Sequence, residues 1–242
     1  MVTRKSVKAD IRRVSDLLAF VEDHCRDKLF LFRGQPEDKP LLPKIARNLV
    51  PISRVLELED FLLSEFKRRS RPHLTVVPNK NWDWLALAQH SGMATRLLDW
   101  SDNPLAALWF AVNESPPRRS PGVVWMFEVP TQDIVSAELK TDPRQGHRTK
   151  VFQPRHISPS IVAQGGWFTA HKFIEGENKF VPLEKNKTYK NFLTKFEIDA
   201  DSFRQIEKQL DQFGINAASL FPGLIGLCKY LNWDAVSLHL KE

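Results

Sequence analysis

Cysteine is scarce in this sequence: of its 242 residues, only Cys25 and Cys228 are cysteines. Two cysteines so far apart form neither a metal-binding pair nor a disulfide framework. No apolar run approaches the roughly 20 residues of a membrane span, and no apolar segment of a secretory signal follows the basic N-terminus. These absences predict a cytoplasmic protein without a membrane partner.

Common catalytic signatures are also missing. The sequence has no GxxxxGK[ST] phosphate loop, no GxGxxG turn and no GxSxG nucleophile elbow. The histidines at positions 90, 147, 156 and 171 do not have the HExxH or Cys/His spacing of a zinc site. Asp99 and Asp102 resemble part of a divalent-metal nuclease site, but the further carboxylates and the lysine of such sites are lacking. We therefore expect no metal.

The charge balance is positive, with a formal net charge of +6 and a pI near 9.3, which favours an anionic partner. Basic residues gather in two segments, residues 67–71 and 140–156. They are Lys67, Arg68, Arg69 and Arg71, and then Lys140, Arg144, Arg148, Lys150 and Arg155. Both segments fit loops that contact a nucleic-acid or protein acceptor, and both also fit ordinary solvated faces.

Hydrophobic periodicity predicts an α+β fold. Helices are expected at residues 15–25, 55–69, 82–90, 105–112, 201–213 and 220–231. Strands are expected at residues 29–32, 122–129, 161–169 and 194–198, and a strand or an extended loop at 94–100. A loop is expected at 115–122, and a surface hairpin or loop at 175–190. The helix at 55–69 has an apolar stripe formed by Leu56, Leu58, Phe61, Leu62 and Phe66. The order has no βαβ rhythm and no repeat, which favours one domain.

Residues 82–113 combine core aromatics with polar groups that are costly to bury unpaired. Trp82, Trp84, Trp100 and Trp109 alternate with Gln89, His90, Thr95, Arg96, Asp99, Asp102 and Asn103. Asn103 before Pro104 predicts a capped helix start. The mixture indicates a site built into a core.

Several of these side chains suit ligand binding. Arg33, at the end of the predicted strand, and Arg96 each offer a guanidinium fork for phosphates or carboxylates; the alternative is a structural ion pair. His90 is able to titrate near neutrality or to cap a helix. Asp99 fits either an arginine partner or a general base, and Gln164 needs a polar contact with protein or ligand.

Four stretches together resemble the FRG domain family: FRGQ at 32–35, residues 89–111, AQGGWFT at 163–169, and FGI at 213–215 with SLFP at 219–222. The resemblance implies an N-terminal helical segment at residues 1–28, an FRG domain at 29–231 and a C-terminal tail at 232–242. Because the family is known from bacteria and their viruses, it also implies a toxin or an antiviral defence effector.

A looser resemblance links the chain to mono-ADP-ribosyltransferases, whose NAD site begins with an aromatic-Arg-Gly strand like that at 32–34. It implies an ADP-ribosyltransferase-like split mixed sheet with flanking helices and a pocket for NAD or a related nucleotide. The implied cofactor-binding residues are Arg33, Gly34, Gln35, Thr95, Arg96, Trp100 and Phe168. Together with the chemistry of the side chains described above, the resemblance gives Gln164, His90 and Asp99 as the expected catalytic residues.

The chain departs from the transferase pattern at residue 164, where a glutamine stands in place of the catalytic glutamate. An amide is able to bond a ribose hydroxyl, but it does not stabilise a developing positive charge as a carboxylate does. Two interpretations therefore remain open. One is a transferase-like enzyme, and the other is a non-catalytic module that binds a nucleotide, a nucleic acid or a protein.

Overall fold

The computed structural model describes residues 9–47, 49–113, 120–135, 141–155 and 158–236. The strands are β1 (Ala9–Ile11), β2 (Phe30–Gln35), β3 (Leu97–Ser101), β4 (Gly122–Glu128), β5 (Lys150–Phe152), β6 (Gly166–Ala170), β7 (Phe173–Ile174), β8 (Lys179–Phe180) and β9 (Leu193–Ile198). The helices are α1 (Val14–His24), α2 (Val55–Arg69), α3 (Asn81–His90), α4 (Pro104–Val112), α5 (Pro159–Ala163), α6 (Phe203–Gln212), α7 (Ala217–Leu220) and α8 (Leu224–Asp234).

One mixed sheet organises the fold, with strand order β1-β9-β4-β2-β3-β6-β5. The β1–β9 pair is parallel and the remaining pairs are antiparallel. The predicted mixed sheet with flanking helices is therefore confirmed. No described helix is both long and apolar enough to cross a lipid bilayer.

The sheet is nearly divided between its two central strands. β2 pairs with β4 along its whole length, and β3 pairs likewise with β6. In the described part of the chain, however, β2 and β3 pair only at Phe32 and Ser101. The two half-sheets therefore separate beyond this point, and the edge groups of β2 and β3 become available to side chains or a ligand.

Helices cover one face of the sheet. α1, α4 and α6 pack on β2, β4 and β9, while α3 and α5 pack around β3, β5 and β6. The opposite face is covered by connecting segments, which contribute Leu41, Leu183 and Tyr189 to a cluster with Leu98 and Trp100. The two faces of the split thus have different surroundings.

α4 is the helix closest to the sheet. Its predicted start is confirmed, because the Asn103 side chain accepts hydrogen bonds from the backbone N–H groups of Leu105 and Ala106. The helix packs directly on β2 at Gly34, where a Cβ would lie only 1.7 Å from the carbonyl oxygen of Ala107. The glycine of the FRGQ motif therefore sets the distance between α4 and the sheet.

The structure corrects the expected end of the first strand. Arg33 does not end β2, because Gly34 and Gln35 continue it and pair with Val124 and Val123 of β4. Glycine usually marks a turn in a sequence pattern. Here it stays extended, and its missing side chain leaves room for α4.

The strand predicted at residues 161–169 is only partly correct. Residues 159–163 form α5, which the Ser158 side chain caps by accepting from the N–H of Ile161, and β6 begins only at Gly166. Between them Gly165 has a positive φ of 56°, and a Cβ there would lie 2.0 Å from Oδ1 of Asp102. The double glycine thus joins a helix to a strand.

α2 has the predicted bounds, but its buried face differs from the predicted stripe. The helix buries Val55, Glu59 and Leu63, which follow one another at i, i+4 spacing. Phe61, which belongs to the predicted stripe, is 62% exposed. The helix is oriented by Glu59, whose carboxylate binds Arg96, the residue directly before β3.

The terminal segments of the chain are only partly described. Part of the segment at residues 1–28 joins the main sheet, because β1 pairs with β9. The tail at 232–242 begins within α8, and residues 237–242 lie outside the described residues. Most of the loop at 115–122 and part of the basic segment at 140–156 also lie outside them. Residues 173–180 form a hairpin, β7–β8, with Asn178 at a φ of 48°.

Candidate functional site

A cavity of about 360 Å³ lies where β2 and β3 separate. This volume is within the range of small-molecule pockets in proteins. Its lining consists of Phe32, Arg33, Gly34, His90, Asp99, Trp100, Ser101, Ala107, Phe110, Gln164 and Phe221. Six of the residues proposed from the sequence are among them: Arg33, Gly34, His90, Asp99, Trp100 and Gln164.

Arg33 lies across the split between the half-sheets. Its Nη1 donates to the backbone oxygen of Asp99 at 2.7 Å and lies 3.6 Å from Oδ2 of the same residue. Its Nε–H is buried and has no partner among the described residues. Burial lowers the pKa of this guanidinium, and the Asp99 carboxylate opposes the shift. Because arginine stays protonated in proteins, a cationic donor remains available here.

Asp99 is the carboxylate of the cavity. Its side chain is 54% exposed, and Oδ2 accepts a hydrogen bond of 3.0 Å from Nε2 of Gln89. The Gln89 oxygen in turn accepts from the hydroxyl of Thr95 at 2.6 Å. Asp99 is therefore held by a chain of polar side chains that begins in the core.

His90 ends α3 at the edge of the cavity, as the sequence predicts. Its Nε2 lies 2.8 Å from the hydroxyl of Ser158, the residue that caps α5. Partial burial of the ring lowers the pKa of His90, while the charge of Asp99 acts to raise it. The imidazole is therefore mainly neutral at pH 7, and in that form it is able to accept a proton.

Gln164 closes the site from the other side, at the C-terminal end of α5. Its backbone oxygen accepts from the Ser101 hydroxyl at 2.6 Å, and its Nε2 donates to the backbone oxygen of Leu220 at 3.0 Å. The glutamine thus connects β3 to α7, and the amide has the polar protein contact that the sequence requires.

Aromatic rings form the apolar wall. Phe110 and Phe221 are both half-buried, with ring centroids 6.0 Å apart in an edge-to-face arrangement. Trp100 borders the cavity, but its ring packs on the opposite face of the sheet against Phe127 and donates to Thr169. The rings positioned to contact a flat ligand are therefore those of Phe110 and Phe221.

The structure does not bring four of the sequence-derived binding residues into this cavity. Arg96 is buried and forms a bidentate ion pair with Glu59. Thr95 is buried behind Gln89, Phe168 packs in the core against Phe152, and Gln35 is buried in the sheet. Arg96 cannot face the cavity because its guanidinium is committed to a carboxylate of α2.

Four arginines of the basic segments pair with neighbouring carboxylates. Arg68 and Arg69 both pair with Glu65, Arg144 pairs with Asp142 and Asp60, and Arg148 pairs with the buried Asp133. Among the residues described, no group of three or more His, Cys, Asp or Glu side chains is placed to hold a metal ion.

Sequence reasoning missed several residues of the site. Ser101, Phe110 and Phe221 line the cavity, and Ser158 holds the His90 ring. One signal for Ser158 was present, since serine before Pro159 is a helix-start pattern of the same kind as that at Asn103. No local pattern distinguishes Phe110 from a core phenylalanine, because its place beside the cavity depends on distant residues such as Phe221.

Residues 28–119 match the FRG domain family. The matched region runs from β2 to the end of α4 and contains Arg33, Gly34, His90 and Asp99, whereas Gln164 and Phe221 lie beyond it. Comparisons with curated proteins and with solved structures gave no match. The chain therefore contains an FRG domain, and this domain supplies the arginine and the carboxylate of the cavity.

Proposed function

We propose that this FRG-domain protein binds NAD or a related nucleotide in the cavity between the half-sheets, in an ADP-ribosyltransferase-like arrangement. The observation that carries the proposal is Arg33, whose cationic side chain is 20% exposed and lies at the wall of a cavity that aromatic rings also line. Its guanidinium is able to donate charge-assisted hydrogen bonds to an anionic ligand.

The ligand's parts match the walls of the cavity. Arg33 would bind the diphosphate, and the edges of Phe110 and Phe221 would contact a flat ring such as nicotinamide or adenine. Gln164 would face the ribose next to that ring, through its half-buried amide. The proposed ligand site therefore joins residues of the matched FRG region to residues that follow it.

A transferase reaction at this site would use Asp99, since Gln164 cannot stabilise positive charge. The bond between ribose C1′ and nicotinamide breaks and nicotinamide leaves with the electron pair, so positive charge develops on the ribose. The Asp99 carboxylate would stabilise that charge. The acceptor then forms a bond to C1′ and gives its proton to the neutral His90.

Binding is tested by calorimetry with NAD on the wild-type protein and on Arg33→Ala. We expect the variant to bind NAD at least about tenfold more weakly, because a charge-assisted contact to phosphate is lost. Arg54→Ala is the control, since Arg54 has a 71% exposed side chain in a surface ion pair. The absence of wild-type binding, or equal affinities of wild type and Arg33→Ala, would refute the nucleotide pocket.

Catalysis is tested by incubating the protein with labelled NAD and a bacterial lysate. A transferase labels a protein or nucleic-acid acceptor, and Asp99→Asn is expected to abolish the label while keeping the fold. The second candidate, a non-catalytic nucleotide-binding module, is favoured by the amide at position 164. NAD binding without any label would support this module.

A role as a toxin or antiviral defence effector is the biological setting that we propose for either activity. It rests on the distribution of the FRG family in bacteria and their viruses. If it is correct, expression of the wild-type protein slows bacterial growth or limits phage replication, and Asp99→Asn does neither. The absence of any effect of the wild-type protein in both assays would contradict this role.

A further inference from the structure

Three side chains form a directional chain of hydrogen bonds that ends at the carboxylate of Asp99. The Thr95 hydroxyl accepts from the backbone N–H of Leu97 at 3.0 Å and lies 2.6 Å from Oε1 of Gln89. Nε2 of Gln89 then lies 3.0 Å from Oδ2 of Asp99. Thr95 is only 1% exposed, so the chain starts in the core and ends at the cavity.

The direction of these hydrogen bonds follows from which side-chain atoms carry hydrogens. A threonine hydroxyl carries one hydrogen. The Thr95 hydroxyl accepts from the backbone N–H of Leu97 and donates this hydrogen to the amide oxygen of Gln89. The amide nitrogen of Gln89 must then face Asp99, and an amide nitrogen only donates. Oδ2 of Asp99 is thereby fixed as an acceptor.

The series of hydrogen bonds occupies Oδ2 of Asp99 and leaves Oδ1 available to a ligand. Oδ2 is engaged by Gln89 and lies 3.6 Å from Nη1 of Arg33. No described residue donates to Oδ1, and half of the side chain remains exposed in a cavity. The site therefore presents an oriented acceptor directly beside a cationic donor.

We propose that Thr95 and Gln89 are positioning residues that orient Asp99 to accept hydrogen bonds from the vicinal hydroxyls of a ribose whose phosphate lies on Arg33. The proposal rests on the proposed function for the location of the ligand, but it does not require the nicotinamide. The ligand class is a ribose phosphate with a free diol. A 2′-deoxy ligand lacks one donor, and a 2′-phosphate is repelled by the carboxylate.

Calorimetry compares the affinity of ADP-ribose with that of 2′-deoxy-ADP-ribose, in which the sugar attached to the β-phosphate lacks its 2′-hydroxyl. The wild-type protein is expected to prefer ADP-ribose by at least about tenfold, because the deoxy sugar leaves the oriented acceptor unpaired. Asp99→Asn, Thr95→Val and Gln89→Met are expected to lose most of this preference. Thr95→Ser keeps the hydroxyl and is expected to retain it.

The ratio of the two affinities separates positioning from a merely structural role. Thr95→Val also removes the acceptor for the Leu97 N–H and is expected to lower stability, whereas Gln89→Met removes only the half-buried amide. A structural loss weakens both ligands alike and leaves the ratio unchanged. An unchanged preference in folded Gln89→Met would overturn the positioning role.

The proposed function and this inference fail in different ways. If the protein binds NAD but shows no preference between ADP-ribose and its deoxy analogue, the proposed recognition of the diol is overturned and the nucleotide pocket remains. If the protein binds ADP-ribose with the expected preference but does not bind NAD, the NAD proposal is refuted and the proposed recognition of the diol is supported. Failure of both sugars to bind would overturn the inference.

Discussion

Glu59→Ala is expected to lower the free energy of unfolding by about 3–5 kcal/mol, the cost of removing one partner from a buried ion pair. The Glu59 and Arg96 side chains are each 3% exposed. Both oxygens of Glu59 accept from the Arg96 guanidinium, through Nε and Nη2. Without the carboxylate the arginine charge stays in the core, near the ring of Phe180 and the backbone oxygen of His171.

Equilibrium unfolding in urea measures this effect, and the same helix provides the control. Glu57 is 68% exposed and pairs with Arg54 on the surface, so Glu57→Ala is expected to change stability by less than about 0.5 kcal/mol. Equal losses for Glu57→Ala and Glu59→Ala would show that the ion pair does not hold α2 in place.

A double variant tests whether the loss comes from the unpaired charge. Glu59→Met with Arg96→Met replaces both partners by apolar side chains that fill similar space. Such replacements are often neutral or stabilising. The double variant is therefore expected to be more stable than Glu59→Ala. A double variant less stable than Glu59→Ala would indicate that the ion pair itself is net stabilising.

This ion pair also explains what the sequence could not predict about α2. The bounds Val55–Arg69 follow from local periodicity and from the helix-ending proline at position 72, and they are correct. The buried face depends on Arg96, which lies 37 residues further along the chain. A charged residue normally marks a solvent-facing position, so the row that contains Glu59 was assigned to the exposed side.

The two arginines proposed from the sequence as ligand-binding residues lie in different surroundings, again because distant parts of the chain determine their contacts. Arg33 and Arg96 both accompany a strand, and nothing local distinguishes a ligand-binding guanidinium from one that a distant carboxylate neutralises. The single residue pair between β2 and β3 opens a cavity beside Arg33, whereas α2 covers Arg96. Which arginine is available is thus a property of the sheet topology.

The position of Gln164 was only partly predictable. The apolar pattern at residues 161–169 predicts a strand, and the helix start at Ser158 and Pro159 does not enter that prediction. The short helix α5 leaves Gln164 at its C-terminal end, where Leu220 accepts from the amide. That contact spans 56 residues, so the sequence indicated that a partner was needed without identifying it.

Gly34→Ala is expected to lower the free energy of unfolding by about 3 kcal/mol or more, at or above the usual range for overpacking. A Cβ at this position would lie 1.7 Å from the carbonyl oxygen and 2.8 Å from the carbonyl carbon of Ala107, and 2.8 Å from the amide nitrogen of Ala111. All three are backbone atoms of α4, so the added methyl group cannot be accommodated by a change of rotamer. The helix must move away from β2.

Thermal or urea unfolding of Gly34→Ala measures the loss, and Gly176→Ala is the matched control. A Cβ at Gly176 meets nothing within 4 Å, so this variant is expected to keep the wild-type stability. Adding Ala107→Gly to Gly34→Ala is expected to restore little, because the conflict is with the main chain of α4. Ala107 and Phe110 of α4 also line the cavity, so folded Gly34→Ala should bind NAD more weakly than wild type. Wild-type stability in Gly34→Ala would show that α4 does not rest on β2 at this glycine.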